Sequence, residues 1–147
     1  MDDWSDELYA VFMRLNGYLN RPDVDAAFVA RAGVKLDGAL FPLLSRIGLS
    51  GPISVVELAR LVGRNHSTVS RQADKLEALG LVERQPAAGD QRIRLLEPTA
   101  TGQDMLAKFR AVRRRFIDHH FTEWTNEERT LLLSLLRKMA KTDSIDT

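Results

Sequence analysis

The chain has no cysteine among its 147 residues, which excludes disulfides, thiol redox sensing and cysteine zinc sites. Long hydrophobic runs are missing too, and nothing approaches the roughly 18 apolar residues that a membrane span requires. The start, "MDDWSDELYAVFMRL", is acidic and has no basic segment leading into an apolar core, so no signal peptide is expected. The expected compartment is the cytoplasm, with no membrane partner. Neither sign of charge dominates: 21 Lys and Arg face 20 Asp and Glu, a net charge of +1. A strongly basic domain would have been a nucleic-acid footprint, so here only the local distribution of charge is informative. There is no P-loop, G-x-S-x-G or Rossmann glycine pattern, so no enzyme activity and no cofactor are expected. Internal repeats and low-complexity segments are absent as well.

What remains is an ordinary globular composition, 44% hydrophobic and 28% charged, sized for one domain or two closely integrated small ones. Leu8, Val11, Phe12, Leu15 and Leu19 recur at three- and four-residue spacings, which predicts a helix over 5–19. "NRPDVDAAFVARAGVKLD" reads as a linker with a short helical turn over 25–32. "LDGALFPLLSRIG" is helix-like, and Pro42 predicts either a kink or a helix that begins near it. Ile53 follows as a very short strand.

The middle of the chain is more informative. Ser54 and Glu57 have capping-box spacing at the head of "SVVELARLVG", and Gly63 suits a left-handed helix end. A second helix follows at once in "RNHSTVSRQADKLEALG", capped by Asn65 or His66 and ended by Gly80. Two helices joined by a short Gly-containing turn are a helix-turn-helix signature. "LVERQ" and "RIRLLE" read as strands around the turn "PAAGD", a short hairpin in the place of a wing. Thr99 or Thr101 caps a helix expected over 103–123. Thr125 and Glu128 form another capping box ahead of the last helix. The expected fold is mainly α with a small β wing, a winged helix-turn-helix with helices at both ends.

Projected at about 100° per residue, Ser67, Thr68, Arg71, Gln72 and Lys75 share one arc of the second helix. Val69, Ala73 and Leu76 lie opposite, and Asp74 and Glu77 fall on a flank. Hydroxyls, an amide and cations on one face suit a polyanion with readable edges. Arg71 has the geometry to donate twice to guanine O6 and N7, and Gln72 to pair with adenine. Ser67 and Thr68 sit in the first turn, at bases or phosphate; Ser70 is counted with them, and Lys75 is placed for phosphate. Arg64 precedes the helix, positioned to clamp a backbone phosphate. His66 is read the same way, with a capping or exposed histidine as the alternative.

The stretch from Ser54 to Gly102 resembles the MarR family of bacterial transcription regulators. Asp90, Arg92, Leu96, Thr99 and Gly102 fall on the family's D-x-R-x-x-x-[VL]-x-L-T-x-x-G wing spacing, with Pro98 standing where the family usually has leucine. The resemblance implies a homodimer whose terminal helices, 1–35 and 99–147, intertwine and present the winged helix-turn-helix, 36–98, to double-stranded DNA. It implies Arg92 in a minor groove with Asp90 as its orienting partner; Arg94, one strand step on, is assigned to phosphate. It also implies a regulator, commonly a repressor, released by small phenolic or lipophilic effectors. The alternative reading is the same fold used as a protein-interaction module.

Three other features have plainer readings beside a functional one. "KFRAVRRRF" concentrates basic residues but shares its helix with Phe109, Val112 and Phe116, so its cations read as a solvated face or as partners of acids across the dimer. His119 and Glu123 have i, i+4 spacing, but two ligands are too few for a metal site, and none is expected. Trp4, Tyr9, Phe12, Met13, Phe41 and Phe109 are candidates to line an effector cavity, with core or dimer interface as the plainer reading.

Overall fold

A computed structural model describes residues 3–19 and 21–141. Two compact units meet within one helix, residues 1–112 and 113–147. Unit one opens with α1 (Trp4–Leu19) and α2 (Pro22–Ala32). The second is a full helix where only a turn was expected. Pro22 in its first turn sacrifices an N–H that has no helical partner anyway, and Gly33, at φ 68°, ends it. α3 (Phe41–Ser50) begins at Pro42 rather than kinking there, because the proline again sits in the first turn.

β1 (Ile53–Ser54) pairs antiparallel with β3 (Asp90–Pro98), which pairs on its other side with β2 (Val82–Ala87). Both hairpin strands are longer than the sequence suggested, and the turn shrinks to Ala88 and Gly89. Gly89 takes φ 85°, where a side chain would be strained. A register shift between Pro86 and Ala87 absorbs the mismatch. Pro98 closes β3 opposite Val82, an end position that tolerates a missing ladder donor.

α4 (Val55–Val62) is capped by Ser54, whose Oγ accepts the Glu57 N–H at 3.2 Å. Only half of the expected capping box forms. The Glu57 carboxylate turns instead to the Arg60 guanidinium, a charge-assisted pair that outcompetes one neutral amide. α5 (His66–Ala78) is capped by Asn65, whose Oδ1 accepts the Thr68 N–H at 2.8 Å. His66 is therefore the first helical residue and not the cap. Asn65→Ala is expected to lower stability by about 1 kcal/mol, measurable by urea denaturation.

α5 ends in a Schellman motif. The Leu81 N–H reaches the Leu76 carbonyl at 3.0 Å, the Gly80 N–H reaches Glu77 at 2.9 Å, and Gly80 takes φ 74°. The same corner starts α6 (Ala100–His120). The Thr99 N–H donates to the Leu81 carbonyl at 3.1 Å, the Thr99 hydroxyl donates to the Gly80 carbonyl, and Thr99 Oγ1 accepts the Gly102 N–H at 3.1 Å. Thr99 is thus the cap, and the helix starts and ends three residues earlier than expected.

The core of unit one takes Leu43, Leu44 and Ile47 from α3, Leu58 from α4, and Val69, Ala73 and Leu76 from α5. Leu96 from β3 and Phe109 from α6 join them, all essentially inaccessible. Phe41 meets Phe109 edge-on, with ring centroids 4.8 Å apart. In unit two, α7 (Asn126–Ala140) opens with a complete capping box: Thr125 Oγ1 accepts from Glu128 N, and Glu128 Oε1 accepts from Thr125 N.

Candidate nucleic-acid interface

Burying Val69, Ala73 and Leu76 leaves α5 only one way to face. Ser67, Arg71 and Lys75 lie along its exposed side at i, i+4 spacing, with Thr68, Ser70 and Gln72 half-buried beside them. Two cations one turn apart repel each other, and among the described residues no ion pair holds Arg71 or Lys75. The acids of the same helix are disposed of elsewhere. Arg84 on β2 lies 2.5 Å from Asp74 and 3.4 Å from Glu77. Arg84 thus draws negative charge to the sheet side and leaves the outward arc cationic. Sequence reasoning passed over Arg84, and its alternating place in a strand was the only available signal.

At the head of the helix, Ser67 Oγ donates to Asn65 Oδ1 at 3.0 Å, while His66 is exposed. Arg64 Nη1 donates to the Ala39 carbonyl at 2.9 Å and to Gln72 Oε1 at 3.0 Å. On the hairpin, the Arg92 side chain is 93% exposed, its Nε 3.4 Å from Asp90 Oδ1, and the same oxygen accepts the Arg92 N–H at 3.0 Å. Asp90 therefore braces the backbone at Arg92 and leaves the guanidinium reaching outward. Arg94 is exposed, and its Nη2 lies 3.4 Å from the Arg84 carbonyl.

The site is therefore a helix-turn-helix with a cationic outer arc, followed by a β hairpin that carries an exposed arginine near its turn. Residues 36–93 match the model of the MarR family. The chain is 32% identical over 106 residues to YxaD of Bacillus subtilis (strain 168), an uncharacterized HTH-type transcriptional regulator; the match covers 72% of this chain and 74% of that one. The chain belongs to the MarR family. As a MarR-family protein it is a DNA-binding transcription regulator and not an enzyme. Among solved structures, it is similar to the MarR protein from Peptoclostridium difficile, at 27% identity and a TM-score of 0.65, over 88% of this chain and 85% of that one. Wild-type apo MarR from E. coli shares its fold at 22% identity and a TM-score of 0.64, over 95% and 98% of the two chains.

The remaining sequence features of this MarR-family chain separate clearly. His119 and Glu123 do not share a helix, since α6 stops at His120 and a turn covers 121–124. His120 stacks on Phe116 and meets Phe121 edge-on. Among the described residues no cluster of His, Asp and Glu has the makings of a metal site. No described helix is long and apolar enough to cross a membrane. The basic run of α6 is divided between the two units, with Lys108 and Arg110 exposed in the first and Arg114 and Arg115 exposed in the second.

Of the six aromatic and Met candidates, Trp4, Phe41 and Phe109 have different surroundings. Phe109 is core. Trp4 borders a shallow groove along α1 with Leu8 and Val11. Phe41 lines a separate open groove of about 610 Å³ together with Leu19, Asp25, Ser45, Leu49 and Arg64. In that groove, burial pushes the Asp25 carboxyl above its ordinary range, against the pull of Arg64. A carboxyl raised in the folded state contributes stability at low pH that is lost as pH rises through its folded value. Asp25→Asn is therefore expected to melt higher than the parent at pH 7, with the difference shrinking as pH falls through the carboxylate range.

Proposed function

We propose that this chain is a cytoplasmic homodimeric repressor that binds a pseudo-palindromic operator and is released by a small phenolic or lipophilic effector. Helix α5 enters the major groove, with Ser67, Thr68, Ser70, Arg71, Gln72 and Lys75 at bases and phosphates and with Arg64 and His66 at its entry. The wing places Arg92 in the minor groove with Asp90 bracing it, and Arg94 at phosphate. The observation that carries this reading is the charge division about α5. Arg84 takes up Asp74 and Glu77, while Arg71 and Lys75 stand exposed one turn apart, a costly arrangement until a polyanion arrives.

Dimerisation through 1–35 and 99–147 is supported by α1 and α7, neither of which buries a single residue in the lone chain. Trp4 and Tyr9 of α1 are 73% and 66% exposed, and Leu131, Leu133, Leu135 and Met139 are exposed on α7. Apolar patches of that extent mark an interface. Two-fold symmetry then predicts half-sites about one helical turn apart.

Fluorescence anisotropy on the DNA flanking the coding region, against shuffled DNA of equal length over a salt series, tests the reading. Preference for the native fragment by about a thousandfold or more is expected of a specific regulator. Equal binding to both, lost steeply with salt, would reduce it to phosphate attraction. No binding at low salt by a folded dimer would favour the protein-interaction module.

A further inference from the structure

We infer that Arg64 acts as a positioning residue for base recognition, fixing which end of the Gln72 amide meets the DNA; the inference rests on the operator-binding reading above. A guanidinium only donates hydrogen bonds. The Gln72 atom 3.0 Å from Arg64 Nη1 is accordingly the amide oxygen, and the NH2 is the end left for a partner. The second hydrogen of Nη1 goes to the Ala39 carbonyl at 2.9 Å, in the chain just ahead of α3. Arg64 is half-buried and tied to a backbone atom 25 residues away, so it is held from behind while it holds Gln72. Both hydrogens of Nη1 are thus spent within the protein, which leaves only Nη2 and Nε to meet a phosphate.

The consequence is a choice between bases. A free glutamine pairs with adenine by accepting from N6 and donating to N7. With one lone pair of its oxygen taken and the amide turned toward Arg64, Gln72 leads with its NH2 donors, which match guanine O6 and N7 or thymine O4 and oppose the adenine N6 amine. The structure thus assigns Gln72 to an acceptor-bearing base edge and makes Arg64 the residue that sets this preference through the Gln72 oxygen.

The test is selection from a pool of duplexes randomised across both half-sites, using the full-length protein, Gln72→Ala, Arg64→Met and Arg64→Lys. Methionine keeps much of the arginine stem and removes its donors, and lysine keeps the charge without the planar fork. The parent is expected to exclude adenine at the position where Gln72→Ala loses its preference. Folded Arg64→Met is expected to shift that position toward adenine by at least about fivefold, with the salt dependence of binding unchanged, and Arg64→Lys, which keeps a donor for the Gln72 oxygen, to shift it less. Parental base preferences in folded Arg64→Met overturn the inference. So does uniform weakening by Arg64→Met with a salt slope shallower by about 0.9, the signature of one phosphate no longer neutralised. Enrichment by the parent that Gln72→Ala leaves intact overturns the inference and spares the DNA reading, whereas a parent that enriches no sequence removes both.

Discussion

Gly102→Ala is expected to destabilise the protein by about 3 kcal/mol or more, at the upper end of overpacking effects. A Cβ built there would lie 2.0 Å from the Leu81 carbonyl oxygen, well inside contact distance, and the obstacle is backbone with nowhere to rotate. That carbonyl already accepts the Thr99 N–H, and the adjoining Gly80 carbonyl accepts the Thr99 hydroxyl. Relief of the clash must therefore disturb the end of α5 and the start of α6 together. Against a total stability of about 5–15 kcal/mol, the urea midpoint falls far and DNA binding weakens through loss of folded protein. Gly38→Ala is the control, because a Cβ there makes only ordinary contacts, 3.6 Å from Ala26, at a φ that is not positive. It is expected to gain about 0.4–1 kcal/mol. A Gly102→Ala loss below about 1 kcal/mol would show that the corner yields and that the motif glycine is there for another reason.

Arg71→Ala is expected to weaken operator binding by about 1–3 kcal/mol and to relax base preference at one position in each half-site. Arg71 is exposed on the arc opposite Val69, Ala73 and Leu76, and among the described residues no ion pair engages it. Its removal should leave the fold unharmed, and the loss of the like-charge neighbour of Lys75 slightly favours the helix. Lys75→Ala is the comparison: removing a phosphate partner weakens all sequences alike and flattens the salt dependence. Loss of affinity by Arg71→Ala that is equal for every base pair would assign Arg71 to phosphate. No change with an intact dimer would argue against α5 as the reading element.

The two variants probe features of different legibility. The arc of Arg71 was readable because a helix repeats every 3.6 residues, and an apolar stripe at Val69, Ala73 and Leu76 fixes where the opposite face must be. The caps at Ser54 and Thr125 were readable for a similar reason, each involving an amide three residues on. The second half of the box at Ser54 failed because Arg60, one turn further, offered Glu57 a stronger partner. Helix α2 was expected only as a turn over 25–32, yet its first turn holds Pro22, Asp23 and Asp25. At a helix start the proline lacks an N–H that would have stayed unpaired, and acids there favour the helix dipole.

The wing motif was legible as a pattern but not as a mechanism. Thr99 and Gly102 could be matched by spacing, yet the reason for both lies at residues 80 and 81, reached only when the strands pair. The same holds for Arg84, which neutralises acids ten and seven residues earlier, and for Arg64, whose partners lie eight residues ahead and 25 behind. By itself the sequence determined the order of helices and strands, the buried and outward faces of α5 and the glycines that end its helices, because these depend on contacts within one or two turns. Tertiary structure decided which cations remain outward, which end of Gln72 is offered and why position 102 has no room for a side chain. Those depend on atoms far apart in the chain, brought together only by packing of the core.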